Sequence, residues 1–78
     1  MAEPGTIAAD IAAHMAAHRK ELGWTQAAYA AHIRDATGLP YHTTTIARIE
    51  AGTRRFTFDE AVALLAFLGY RVHIEHVG

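Results

Sequence analysis

Four glycines, Gly23, Gly38, Gly52 and Gly69, cut the chain into short stretches whose apolar residues recur at helical spacing. A chain divided in this way is constrained to fold as several short helices, each burying one face against its neighbours. In the first stretch Ile7, Ile11, Met15 and Leu22 form a stripe widened by alanines. Thr6 offers an N-cap hydroxyl, and Asp10 is expected in the first turn, where the helix dipole favours an anion. This predicts a first helix to about Leu22. Thr25 is a good N-cap for a second helix, from Gln26 to about Thr37, with Tyr29, Ala30 and Ile33 facing inward and Trp24 anchoring the corner. Leu39 precedes Pro40 and is pushed away from helical geometry, so Gly38 to Tyr41 reads as a turn, with Tyr41 packed under the start of the next helix. A third helix begins at His42 or Thr43 and ends near Ala51. Thr57 and Glu60 have capping-box spacing, which predicts a fourth helix from Phe58 to Leu68. Phe58 opens its apolar run, and Ala61, Val62, Leu64, Leu65 and Leu68 supply its buried side.

Outside these helices, residues 1–5 read as a loose tail because Pro4 and Gly5 disfavour regular structure. Residues 70–78 alternate instead: Tyr70, Val72, Ile74 and His76 point one way, Arg71, His73 and Glu75 the other. That pattern signals a β-strand. With no second strand in the chain, its backbone groups are expected to pair with the same strand of a second copy across a two-fold axis. The alternatives are a frayed tail or a fifth helix, with dimerisation through the fourth helix. The expected fold is thus all-α, a four-helix domain over residues 6–69 closed by a C-terminal dimerisation strand.

At 78 residues the chain makes one domain, and a domain of this size buries only about 60% of its unfolded surface, so a partner chain would add stability. Cysteine is absent, which excludes a disulfide framework or thiolate metal site and makes a reducing cytoplasm the simplest compartment. No apolar run reaches the roughly 18 residues of a membrane span. His14 and His18 lie four apart and share a helix face, yet a metal site needs further ligands that no motif here supplies, so no metal or other cofactor is expected. His73 and His76 read likewise as surface or interface residues. The chain has no nucleophile elbow, phosphate-binding glycine loop or HExxH pattern, and is too small for a deep cleft; an enzyme is the least supported class.

Seven basic and eight acidic residues give a formal charge of −1, which argues against indiscriminate binding to nucleic acid. Distribution matters more. Between Tyr41 and Phe58 stand Arg48, Arg54 and Arg55 with only Glu50 against them. In the third helix Ile46 and Ile49 share the buried face, while Thr44, Ala47, Arg48 and Ala51 fall opposite. A short helix with small hydroxyl and methyl groups and one arginine outside, followed by paired arginines, suits a DNA major groove. The arginine fork can donate to guanine O6 and N7, and the methyls of Thr44 and Ala47 suit thymine.

Thr25, Gln26, Tyr29 and Ala30, followed by Ile46, Ile49, Glu50 and Gly52, carry a spaced pattern that resembles the helix-turn-helix family of phage repressor and Cro proteins, the Xre family, over roughly residues 7–69. The segment after Ile33 is longer than the compact family form by six residues, about the length of Arg34 to Leu39; this variant looks like a subgroup of actinobacteria and their phages. The resemblance implies a lambda-repressor-like domain that binds double-stranded DNA as a homodimer on an approximately palindromic operator, in the cytoplasm with the nucleoid. It places Thr43, Thr44, Ala47 and Arg48 at bases. Gln26, His42, Thr53, Arg54 and Arg55 fall where phosphate is contacted, and Glu50 pairs with Arg19 to hold the third helix against the first. The rival reading is an antitoxin-type interaction module whose main partner is a toxin protein.

Overall fold

The computed structural model describes residues 6–71, which form four helices: α1 (Thr6–Leu22), α2 (Gln26–Thr37), α3 (Thr43–Glu50) and α4 (Phe58–Phe67). Each starts or stops where a local group satisfies backbone that the helix itself leaves unpaired. Thr25 Oγ1 accepts from the Ala28 N–H at 3.1 Å to open α2. The capping box expected at α4 is complete: Thr57 Oγ1 accepts from Glu60 N at 3.1 Å, and Glu60 Oε2 accepts from Thr57 N at 2.9 Å. At the end of α3 the N–H groups of Gly52 and Thr53 donate to the carbonyls of Ile49 and Arg48. This Schellman closure needs a left-handed residue, and Gly52 has φ +77°.

The helices enclose one core. Ile11 and Met15 of α1, Tyr29, Ala30 and Ile33 of α2, Tyr41 of the turn, Ile46 and Ile49 of α3 and Leu64 of α4 are all buried. Trp24, Leu39, Phe56, Ala61, Leu65, Phe67 and Leu68 pack around them. α3 lies against α1 and α2, and α4 against the same two helices. Phe67 and His18, neither assigned to the core by periodicity, set their rings edge-on to Tyr29, at 5.8 and 5.6 Å between centroids. His18 Nδ1 also lies at hydrogen-bond distance, 2.8 Å, from the Tyr29 hydroxyl.

Much of the extra length between Ile33 and α3 is helix: α2 continues to Thr37. The turn that follows is held by side chains. Thr37 Oγ1 donates to the Ile33 carbonyl and accepts from Leu39 N, and Arg34 donates to the Tyr41 carbonyl at 2.6 Å.

Several expectations need correction. Asp10 lies beyond the first turn, because the helix begins at Thr6. Leu22, part of the apolar stripe of α1, is 42% exposed rather than covered, and Phe58, which opens the apolar run of α4, is 71% exposed. Each sits at a helix end, where the apolar stripe continues but no element among the described residues covers it. Val62 and Leu65 are half-buried, leaving Leu64 as the one fully buried residue of α4. Tyr70, the first residue of the expected strand, instead closes α4: its N–H donates to the Leu65 carbonyl at 2.8 Å, and its hydroxyl lies 2.9 Å from His14 Nδ1. Neither Tyr70 nor Arg71 is in a strand, and no strand occurs among the described residues. Val72, Ile74 and His76, with His73 and the tail of residues 1–5, lie outside them.

Candidate nucleic-acid interface

α3 is eight residues long and strongly two-sided. Ile46 and Ile49 are buried, whereas Thr43, Thr44, Arg48 and Ala51 are exposed and Ala47 is partly so. The exposed face therefore presents two hydroxyls, small methyl groups and a single long cation. Arg48 makes no ion pair among the described residues, so its guanidinium fork remains available. At the N-terminus His42 occupies the cap position with extended backbone, and its N–H donates to Thr45 Oγ1 at 3.1 Å.

Glu50, the last residue of α3, would oppose an anion if its charge were free. It is not free. Arg19 of α1 grips it with two bonds, Nε to Oε2 at 2.6 Å and an Nη to Oε1 at 2.8 Å, while the other Nη donates to the Trp24 carbonyl at 2.9 Å. The hydrogen bonds from Arg19 hold the Glu50 carboxyl below the usual carboxylate range against the opposing effect of burial. The same pairing raises the already high pKa of Arg19. Gln26, which opens α2, donates to Glu50 Oε1 at 3.3 Å. One carboxylate thus joins the ends of α1, α2 and α3.

The loop after α3 divides the two adjacent arginines. Arg55 is exposed and has no carboxylate partner among the described residues. Arg54 is committed inward: one Nη meets Glu60 Oε1 at 2.6 Å, the other donates to the Arg55 carbonyl at 3.0 Å, and the guanidinium lies 5.4 Å from the centroid of the Tyr41 ring. Tyr41 adds its hydroxyl to Glu60 Oε1 at 2.8 Å. Burial opposes the charge on Glu60, but the Thr57 N–H, the Tyr41 hydroxyl and Arg54 together hold its pKa below the ordinary value. Burial, followed by the bond to Glu60, pushes the Tyr41 phenol well up. Thr53 is exposed, with its hydroxyl donating to the Arg48 carbonyl at 3.3 Å.

The residues singled out from the sequence therefore separate into two groups. Thr43, Thr44, Ala47 and Arg48, with His42, Thr53 and Arg55 at the ends, lie on or beside the outer face of α3. Arg19, Glu50, Gln26 and Arg54 make contacts within the fold. Glu60 and Tyr41 were not among the candidates, since a capping residue and a core aromatic give no local sign of a long-range contact. Among the described residues no group of three or more histidine, cysteine or acidic side chains is placed to hold a metal ion, and no helix is long and apolar enough to cross a membrane.

A family model described as a helix-turn-helix domain matches residues 10–73, most of the chain. Comparison with curated proteins and with solved structures yields no match.

Proposed function

The chain belongs to the helix-turn-helix domain family, and from that membership we propose that it is a sequence-specific regulator of transcription, a repressor that covers promoter DNA. α3 enters the major groove. The observation that carries this reading is the outer face of α3, where small side chains and an Arg48 with no ion pair among the described residues stand beside a Glu50 whose charge is met by Arg19. Bulky or acidic groups there would hold the helix off the groove floor or repel the phosphates that flank it. Thr43, Thr44, Ala47 and Arg48 read base edges, with Arg48 as the guanine-directed fork. Arg55, His42 and Thr53, with backbone N–H groups at the starts of α2 and α4, address phosphate.

One α3 reaches few base edges, and each good contact contributes about 1–3 kcal/mol of discrimination, too little to select a site in a genome. The proposed active form is therefore a dimer on an approximately palindromic site, with half-sites about 34 Å apart. Selection from a random duplex library should recover such a site. Binding to it should weaken steeply with salt and exceed binding to scrambled duplex by at least about a thousandfold. A protein that shifts no duplex at low salt would return this surface to the protein-interaction reading.

A further inference from the structure

The Glu60 carboxylate lies where three parts of the chain around α3 converge. Tyr41, two residues before α3, donates its hydroxyl to Oε1 at 2.8 Å; Arg54, from the loop after α3, donates to the same oxygen at 2.6 Å; and the N–H of Thr57, the cap of α4, donates to Oε2 at 2.9 Å. The Arg54 guanidinium also lies over the Tyr41 ring at 5.4 Å, so the segments entering and leaving α3 touch each other directly as well as through Glu60. Backbone bonds extend the clamp at both ends. Arg34 donates to the Tyr41 carbonyl at 2.6 Å, and Arg54 to the Arg55 carbonyl at 3.0 Å. Tyr41 is 1% exposed, and the Glu60 and Arg54 side chains are 12% and 31% exposed. These bonds are therefore sheltered from water to a degree that surface ion pairs are not.

We propose that Arg54 is a positioning residue: acting through Glu60 and Tyr41, it sets the angle at which α3 is presented, and it does not contact phosphate. The proposal rests on the DNA-reading function above. It also divides the adjacent arginines by role, leaving Arg55 as the phosphate-directed member. An Arg54 that swung its guanidinium fork onto phosphate would give up the Glu60 bond and leave that carboxylate short of its cation next to the DNA.

The two roles predict opposite signs for one substitution. If Arg54 positions α3, Glu60→Gln loosens the clamp and weakens binding to the selected duplex by about tenfold, the scale of one lost base contact, while binding to scrambled duplex stays the same or tightens. If Arg54 contacts phosphate, Glu60→Gln releases it and removes a negative charge, so binding to both duplexes tightens. Arg54→Gln separates the roles again. Positioning leaves the salt dependence of binding unchanged, whereas a lost phosphate contact lowers its slope by about 0.9. Tyr41→Phe removes only a hydroxyl, keeps the core filled and alters no charge; it should lower specific binding alone. The clamp is also measurable without DNA, by comparing backbone amide resonances of the free variants. Arg54→Gln and Glu60→Gln should shift the same resonances within Thr43–Glu50. Shifts confined to the start of α4 would overturn the proposal even if the DNA-reading function stood. Absence of a selectable duplex, with the shared α3 shifts present, would instead overturn that function and leave the clamp.

Discussion

Arg48 and Arg54 share a side chain and a neighbourhood but differ in their surroundings. Arg48 stands exposed on α3 without an ionic partner among the described residues, while Arg54 is held by Glu60 and stacked on Tyr41. Arg48→Ala should weaken binding to the selected duplex by about 1–3 kcal/mol and relax preference at one base pair in each half-site. Titration of wild-type and single-substituted duplexes checks this; equal loss on scrambled DNA would make Arg48 a phosphate contact instead. Arg19 and Glu50 form a unit of a different kind. Removing either partner leaves the other charge without its bidentate mate, so Arg19→Gln and Glu50→Gln should each lower the melting temperature, and the double change should lower it by less than the sum. Strict additivity would show that the pair carries no coupling in solution.

Among the elements, α3 is the shortest and depends most on its ends. It has two turns, too few to be stable alone, and is held by Ile46 and Ile49 below and by the closure at Gly52. A Cβ added at Gly52 would meet nothing within 4 Å, so the whole effect of Gly52→Ala lies in the backbone. A left-handed conformation costs an L-residue roughly 1–2 kcal/mol, and chemical denaturation should show a loss of that size, with Gly52→Asn less affected. α4 depends on its capping box. Thr57→Ala should cost about 1 kcal/mol, and loss of the Thr57 side chain leaves the Glu60 bonds to Tyr41 and Arg54 in place. Specific DNA binding should therefore survive Thr57→Ala better than it survives Glu60→Gln.

For the molecule as a whole, the same networks set how stability depends on pH. Glu50 and Glu60 both have folded pKa values below the ordinary 4.5, so their contribution is present above about pH 4.5 and is lost as pH falls through the lowered values. Tyr29 moves the other way: burial, then the nearby Glu50 charge, raises its phenol from 10.0 to about 12. A raised acid contributes stability fully below the unfolded value, here 10.0, and that contribution disappears as pH rises through about 12. Denaturation midpoints should therefore fall on the acid side below about pH 4.5 and on the alkaline side from about pH 10 upward. Glu50→Gln should flatten the acid limb, and tyrosinate absorbance from Tyr29 should appear together with unfolding rather than before it.

Helix number, order and nearly every boundary follow from local chemistry: threonine caps, the spacing of Thr57 and Glu60, glycine stops and Pro40. These act within a few residues, so they are written in the chain. The division of α3 into a face with Ile46 and Ile49 and a face with Thr44 and Arg48 follows from helical spacing alone. Periodicity does not say how far along an axis a neighbouring helix extends, and so it misplaced Leu22. It also could not show that Arg54 turns inward while Arg55 stays out, or that Glu60 serves Tyr41 as well as its own cap. Those outcomes depend on contacts between residues far apart in sequence, through distances and burial that arise only once α1, α2 and α4 have closed around α3.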